Sequence, residues 1–232
     1  MQNYYSNTYD TQALDAHVSK VMKNVYVKMF LALLVSAFMA WVAPMIPGVG
    51  AMTQSRGGYL VLALIEIGLV IGITAGINKM KSSTATLLFF LFAIVNGATL
   101  SIIFLAFSPV SILKTFLITA GTFGAMSIYG YFTNKDLTRV GSFLFMALIG
   151  LIICSIVNIF WNNGTMGWII SGAGVLIFLG LTAWDTQKIK QMAVSMPGST
   201  DGRLATIGAL SLYLDFINLF LYLLRFFGSS RD

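Results

Sequence analysis

Three acidic side chains stand inside apolar stretches of this chain, and an ionisable group in such a place is a functional candidate by its cost alone. Of the eight Asp and Glu residues, Asp10, Asp15, Asp136, Asp201 and Asp232 fall in tails or loops, which leaves Glu66, Asp185 and Asp215. Asp215 lies in LATIGALSLYLDFINLFLYLLRFFG, residues 204–228. At ~100° per residue, Gly208, Ser211, Asp215, Asn218 and Tyr222 fall within about 60° of one another, a polar stripe on an otherwise apolar helix. A carboxylate turned to lipid is very costly, so the stripe is expected to face protein or a water-filled cavity, with the other helices around it. Asp185 follows Trp184 in LGLTAWDTQKIKQM. Taken alone, it is equally a helix-end residue neutralised by Lys188 at i+3 and a functional group. Glu66 is alone on its face among Leu62, Ala63, Leu69, Val70 and Ile73, and must be protonated, paired or turned toward a cavity.

The two aspartates say more together. With a boundary near Lys190 and Ala205, they lie about 5 and about 10 residues deep, ~7 and ~15 Å along their helices, so adjacent antiparallel helices bring them to comparable levels. Two buried carboxylates close together cannot both ionise cheaply, and one shared proton can bridge them. Such a pair holds two helices together when protonated and pushes them apart when ionised, which outlines a pH-sensitive gate. It is also a weak, transient site for calcium, a hard cation that takes oxygen ligands. Ser211, Asn218 and backbone carbonyls add oxygens, but fewer than a tight cage needs.

The elements that position these residues follow from composition. With 57% hydrophobic and 9% charged residues in 232, the chain is expected to be an integral membrane protein. Apolar runs of about 20 residues without alternation indicate helices rather than a barrel. Seven spans are predicted, at about 26–46, 59–77, 85–107, 112–132, 141–160, 166–187 and 204–227. Turn residues and charges separate them, among them Pro44 and Pro47, Ser108-Pro109, Asn162 and the stretch from Pro197 to Gly202. The expected organisation is one domain: a cytoplasmic segment 1–25, a helix bundle 26–227 and a short tail 228–232. The polar start lacks a signal-peptide pattern, so the first apolar run is expected to remain as an anchor.

Basic residues set the orientation. Lys20, Lys23, Lys28, Lys79, Lys81, Lys135, Arg139, Lys188, Lys190 and Arg203 fall on one side, and Arg56, Lys114, Arg225 and Arg231 on the other. Ten against four predicts a cytoplasmic N-terminus and, with seven spans, an external C-terminus. A last segment that dipped in and returned would make the count twelve to two, so charge leaves that alternative open, whereas length favours crossing. The net charge of +6 is thereby explained by membrane topology and not by nucleic acid. Trp41, Trp161 and Trp168 fall at the predicted outer interface. Gly68, Gly72 and Gly76 recur every fourth residue and are read as a packing face, with Gly172, Gly174 and Gly180 serving similarly. The dispersed methionines read as apolar filler. His17 reads as exposed. The single cysteine, Cys154, excludes an internal disulfide and a Cys-based metal site.

The segments YGYFTNKDLTRVGSFL (129–144), GAGVLIFLGLTAWDTQKIK (172–190) and ALSLYLDFINLFLYLLR (209–225), with NGATLS (96–101), resemble the Bax inhibitor-1, or transmembrane BAX inhibitor motif, family. The likeness runs from the first span nearly to the C-terminus, and the short loops and tail resemble a bacterial member of the inner membrane. The resemblance implies an all-α fold of seven transmembrane helices, six wrapped around a central C-terminal one. It also implies a calcium leak controlled by pH through paired aspartates on helices six and seven, which map onto Asp185 and Asp215. An acidic residue in the second span maps onto Glu66. Bacterial members can place a basic latch residue farther along that helix; this chain has Ile77, Asn78 and Lys79 there and no arginine. The implied partners are the lipid bilayer, calcium ions as transported species, and protons, with no tightly bound cofactor and no nucleic acid.

An alternative is an interaction protein, since some bacterial relatives resemble modulators of a membrane-bound AAA protease. An enzymatic role is not expected. Two membrane aspartates resemble those of intramembrane aspartyl proteases, but the Gly-x-Gly-Asp and Pro-Ala-Leu motifs are missing, Asp215 being preceded by Tyr213-Leu214. A retinal protein is excluded because the seventh span has no lysine for a Schiff base.

Overall fold

A computed structural model describes residues 2–161, 163–196 and 202–229, with side chains from residue 12 onward. Asn162, residues 197–201, Arg231 and Asp232 lie outside the described residues. The elements are helical, and seven helices are long and apolar enough to cross a membrane, as the sequence predicts. Helix α1, Gln2–Val42, runs for 41 residues. It contains neither Gly nor Pro, so nothing interrupts its hydrogen bonding before Pro44. The expected lead-in and first span are therefore one helix of roughly 60 Å, about twice the hydrocarbon thickness. A 3-10 turn, Ala43–Met45, and a short helix α2, Pro47–Gln54, follow; neither was anticipated.

The chain forms two compact units. The first takes residues 1–100 and 188–210. It holds α1, α2, α3 (Arg56–Gly76), α4 (Ser82–Leu100), the last turns of α8 (Gly164–Ser195) and the first turns of α9 (Gly202–Phe227). Val18, Met22, Val25, Met29, Ala32, Ser36 and Ala40 form the buried stripe of α1, which packs on α4. The two approach closely at Gly97, where a Cβ would stand 2.5 Å from the Ser36 carbonyl oxygen. Ser36 Oγ donates to the Ala93 carbonyl, 2.7 Å away, beside that contact. Lys28 Nζ donates to Thr86 Oγ1 at 2.9 Å, Thr206 Oγ1 at 2.7 Å and the Gly202 carbonyl at 3.2 Å, tying the start of α9 to α1 and α4.

The glycine face expected on α3 is not a packing face. Gly68 and Gly72 have no heavy atom within 4 Å of where a Cβ would stand, and Gly76 meets only the end of Met80. Spacing shows which residues share a face, but not whether another helix covers it; only 11% of the central window of α3 is buried.

The second unit takes residues 101–187 and 211–232, with α5 (Ile103–Ala106), α6 (Pro109–Phe132), α7 (Thr138–Trp161) and the remaining parts of α8 and α9. Pro109 starts α6, with Ser108 Oγ accepting from the Ser111 N–H. At the head of α7, Asp136 accepts from the Thr138 hydroxyl at 2.6 Å and the Thr138 N–H at 2.9 Å, and these bonds hold its carboxyl below the usual carboxylate range. Here the three expected glycines do pack. Gly180 meets Leu144, Gly174 lies under the Tyr222 ring, and a Cβ at Gly172 would stand 3.6 Å from Phe226.

Candidate functional site

Within the second unit, α9 packs against both α6 and α8. Phe216 takes the edges of Phe116 and Phe123, each with ring centroids 5.4 Å away. On the α8 side, Phe178 stacks on Tyr222 at 5.8 Å and Trp168 meets Phe226 edge-on at 4.6 Å. Such ring pairs, with the apolar area they bury, fix the rotation of the helix. Asp215 is consequently 5% exposed. Its Oδ2 has no hydrogen-bond partner among the described residues, and the charge of Asp185 acts on it. The structure therefore brings together the two aspartates singled out from the sequence, and buries one of them incompletely satisfied.

Asp185 sits on a tightly held segment of α8. Gly130 of α6 lies against the Ala183 carbonyl, and Gly141 of α7 lies against the Trp184 ring, so neither glycine can carry a side chain without displacing α8. Two residues beyond Asp185, the Gln187 amide grips the loop between α6 and α7. Its Nε2 donates to the Lys135 carbonyl at 2.8 Å, and its Oε1 accepts from the Leu137 N–H at 2.9 Å. Gln187 was missed from the sequence because it looks like an ordinary polar residue near a helix end; its 7% exposure is the tertiary fact. The hydroxyls of Thr115, Ser127 and Thr186, in this same unit, are also buried without a partner among the described residues.

The other candidates fall into distinct settings. Ser211 is half-buried. Asn218 donates its amide to the Leu214 carbonyl of its own helix at 2.8 Å. Tyr222 is hydrogen-bonded to Ser155 of α7. Asn218 and Tyr222 line a cavity of about 650 Å³ with Ser155, Asn158 and Arg225.

Glu66 belongs to the first unit and has its own partners. Thr99 Oγ1 donates to its Oε1 at 2.5 Å and Asn96 Nδ2 to its Oε2 at 3.1 Å. Of the three states open to it, the structure shows it hydrogen-bonded on both oxygens. The signal for this was present: Asn96 and Thr99 share one face of an apolar helix at i, i+3, a polar pair that calls for a partner on a neighbouring helix. Among the described residues, no group of three or more His, Cys, Asp and Glu could hold a metal ion. The aspartate pair thus offers a cation two carboxylates at most.

Seven apolar helices, with a buried carboxylate on α9, define a polytopic helical membrane protein, embedded in the lipid bilayer. The family model described as "Inhibitor of apoptosis-promoting Bax1" matches residues 18–232. The chain belongs to the Bax inhibitor-1 family. It is 43% identical over 220 residues to the inner membrane protein YbhL of Escherichia coli K12, covering 93% of this chain and 94% of YbhL. An uncharacterised protein of Borreliella burgdorferi is 45% identical over 217 residues, covering 92% of this chain and 94% of its own. Another, from Rickettsia prowazekii, is 39% identical over 228 residues, with 98% and 97% covered.

Proposed function

We propose that this protein is a pH-sensitive calcium leak of the bacterial inner membrane, gated by a proton shared between Asp185 and Asp215, with no enzymatic activity. The observation that carries the proposal is Asp215: nearly fully buried, one oxygen without a hydrogen-bond donor among the described residues, and within reach of a second carboxylate's charge. A permanent structural carboxylate has its acceptors filled; one left open beside another acid suits a site that exchanges protons and passing cations. With one proton on the pair, the helices stay together. With both carboxylates ionised, like charges ~4 Å apart at an effective dielectric near 20 repel by about 4 kcal/mol, enough to reverse a two-state equilibrium by orders of magnitude. Calcium flux therefore rises as pH increases.

The central position of α9 belongs to the same proposal. It is supported by the 67% buried share of its central window, against 6% for α7. So does the orientation, with the N-terminus and Lys79, Lys135 and Lys188 cytoplasmic, which rests on the charge count. An impermeant thiol reagent applied to intact cells, with Cys154 replaced, should leave a cysteine at 188 unlabelled.

The deciding experiment is calcium uptake into vesicles of protein and lipid alone, from about pH 6 to pH 8. Wild type should show flux that grows with pH. A double variant, Asp185→Asn with Asp215→Asn, should lose the pH dependence and most of the flux. An unchanged pH profile would remove the pair from the gate, and no flux in wild type would leave a non-transport role.

A further inference from the structure

At the junction of α7 and α8 the second unit carries a cluster of cavities unrelated to the aspartate pair. One of about 290 Å³ is lined by Asn158, Asn163, Trp168, Arg225 and Phe226, among others. It shares Trp168 and Phe226 with a neighbouring cavity of about 570 Å³, otherwise walled by Thr165, Ile169 and glycines. The hydrogen bonds around the first cavity determine which polar groups remain for a ligand. The Asn163 side-chain oxygen accepts the Thr165 and Met166 N–H groups at 2.9 and 3.2 Å. The Asn158 side-chain oxygen accepts the Asn163 N–H at 3.2 Å. Backbone donors thus fix both amides by their oxygens, Asn163 through two bonds and Asn158 through one, and their NH2 groups remain as donors. Arg225 adds a guanidinium, which has no acceptor capacity, and among the described residues no acidic side chain lines either cavity. Among the described residues the polar end holds a cation and N–H donors but no carboxylate, so it suits an anion better than a cation.

The other end is apolar and open. Gly172 keeps its floor low, Phe226 bounds it, and Trp168 and Ile169 are 64% and 62% exposed. The two spans on either side end and begin here, at Trp161 and Gly164, with Trp161 74% exposed. Exposed tryptophans at span ends mark the level of lipid headgroups. A pocket with a guanidinium and amide donors at phosphate depth, continuing into an apolar groove, matches an amphiphile with an anionic head.

We propose that this cluster is a binding site for one anionic phospholipid, its phosphate held by Arg225, Asn158 and Asn163 and an acyl chain lying in the Gly172–Phe226 groove. A zwitterionic headgroup fits less well because its cation finds no carboxylate among the described residues. Inorganic phosphate has the charge but nothing for the groove.

The test is native mass spectrometry of the whole purified protein in detergent with equimolar phosphatidylglycerol and phosphatidylcholine. Wild type should retain one phosphatidylglycerol with a preference of about tenfold, the worth of a charge-assisted bond. Arg225→Gln should bring the preference to about one, and Arg225→Lys should restore part of it. Gly172→Leu, which fills the groove without touching the charge, should lower retention of both lipids. Excess inorganic phosphate should displace neither. Equal retention of the two lipids by wild type, an undiminished preference in Arg225→Gln, or displacement by phosphate alone would each overturn the proposal. The result is independent of whether the protein conducts calcium.

Discussion

Glu66 and Asp215 are both carboxylates inside apolar helices, yet their surroundings are opposite. Glu66 receives a donor on each oxygen, from Thr99 and Asn96. Asp215 has an oxygen with no donor among the described residues and a second acid within electrostatic reach. The first arrangement is a completed hydrogen-bond network, which rigidifies the crossing of α3 and α4. The second is incomplete, and incompleteness at a buried charge is where sensitivity to protons and cations resides. The same side-chain chemistry thus serves structure in one unit and, in the proposed function, regulation in the other.

The largest expected effect lies on flux. Asp215→Asn should reduce calcium uptake by about tenfold or more and flatten its pH profile, since each 1.4 kcal/mol of the ~4 kcal/mol repulsion is a factor of ten. Glu66→Gln should leave the profile intact, and Asp185→Asn should lose the pH response while keeping some leak. If Glu66→Gln flattened the profile and Asp215→Asn did not, the two carboxylates would have exchanged roles.

Stability should separate them next, and with opposite sign. Asn96→Ala removes a donor from Glu66 and should cost about 1–3 kcal/mol, read as a lower melting temperature of the protein in micelles. Asp215→Asn should leave the melting temperature unchanged or raise it at pH 8, where it relieves repulsion between like charges.

Gln187→Ala strands the Lys135 carbonyl and the Leu137 N–H, so a loss of about 1–3 kcal/mol is expected in the same melting assay. If the pH midpoint of flux shifts in that variant while Asn96→Ala leaves it alone, the hold on α8 is part of the pair's setting. Least of all should Gly72→Ala matter: with open space around it, the change should stay within about 1 kcal/mol and favour the helix. A large loss there would show that α3 has a packing partner.

The amino-acid sequence by itself determined what is local along the chain. Seven spans were legible because length and apolarity act within one segment, and breakers such as Pro44 and Ser108-Pro109 end helices wherever they occur. Even there, α2 and the full extent of α1 were not foreseen, since the apolar run and the helix need not end together. The three intramembrane acids were visible as charges in apolar runs, and helical periodicity put Asp215 on a stripe with Ser211 and Asn218. Only the tertiary structure decided which acid is satisfied. The donors to Glu66 lie 30 and 33 residues away on another helix, and Asp185 reaches Asp215 from another. It also decided that Gly97, Gly130 and Gly141 meet neighbouring helices while Gly68 and Gly72 have open space where a Cβ would stand, among the described residues. Periodicity ranks the faces of one helix; hydrogen bonds and close contacts depend on what the other helices place opposite them.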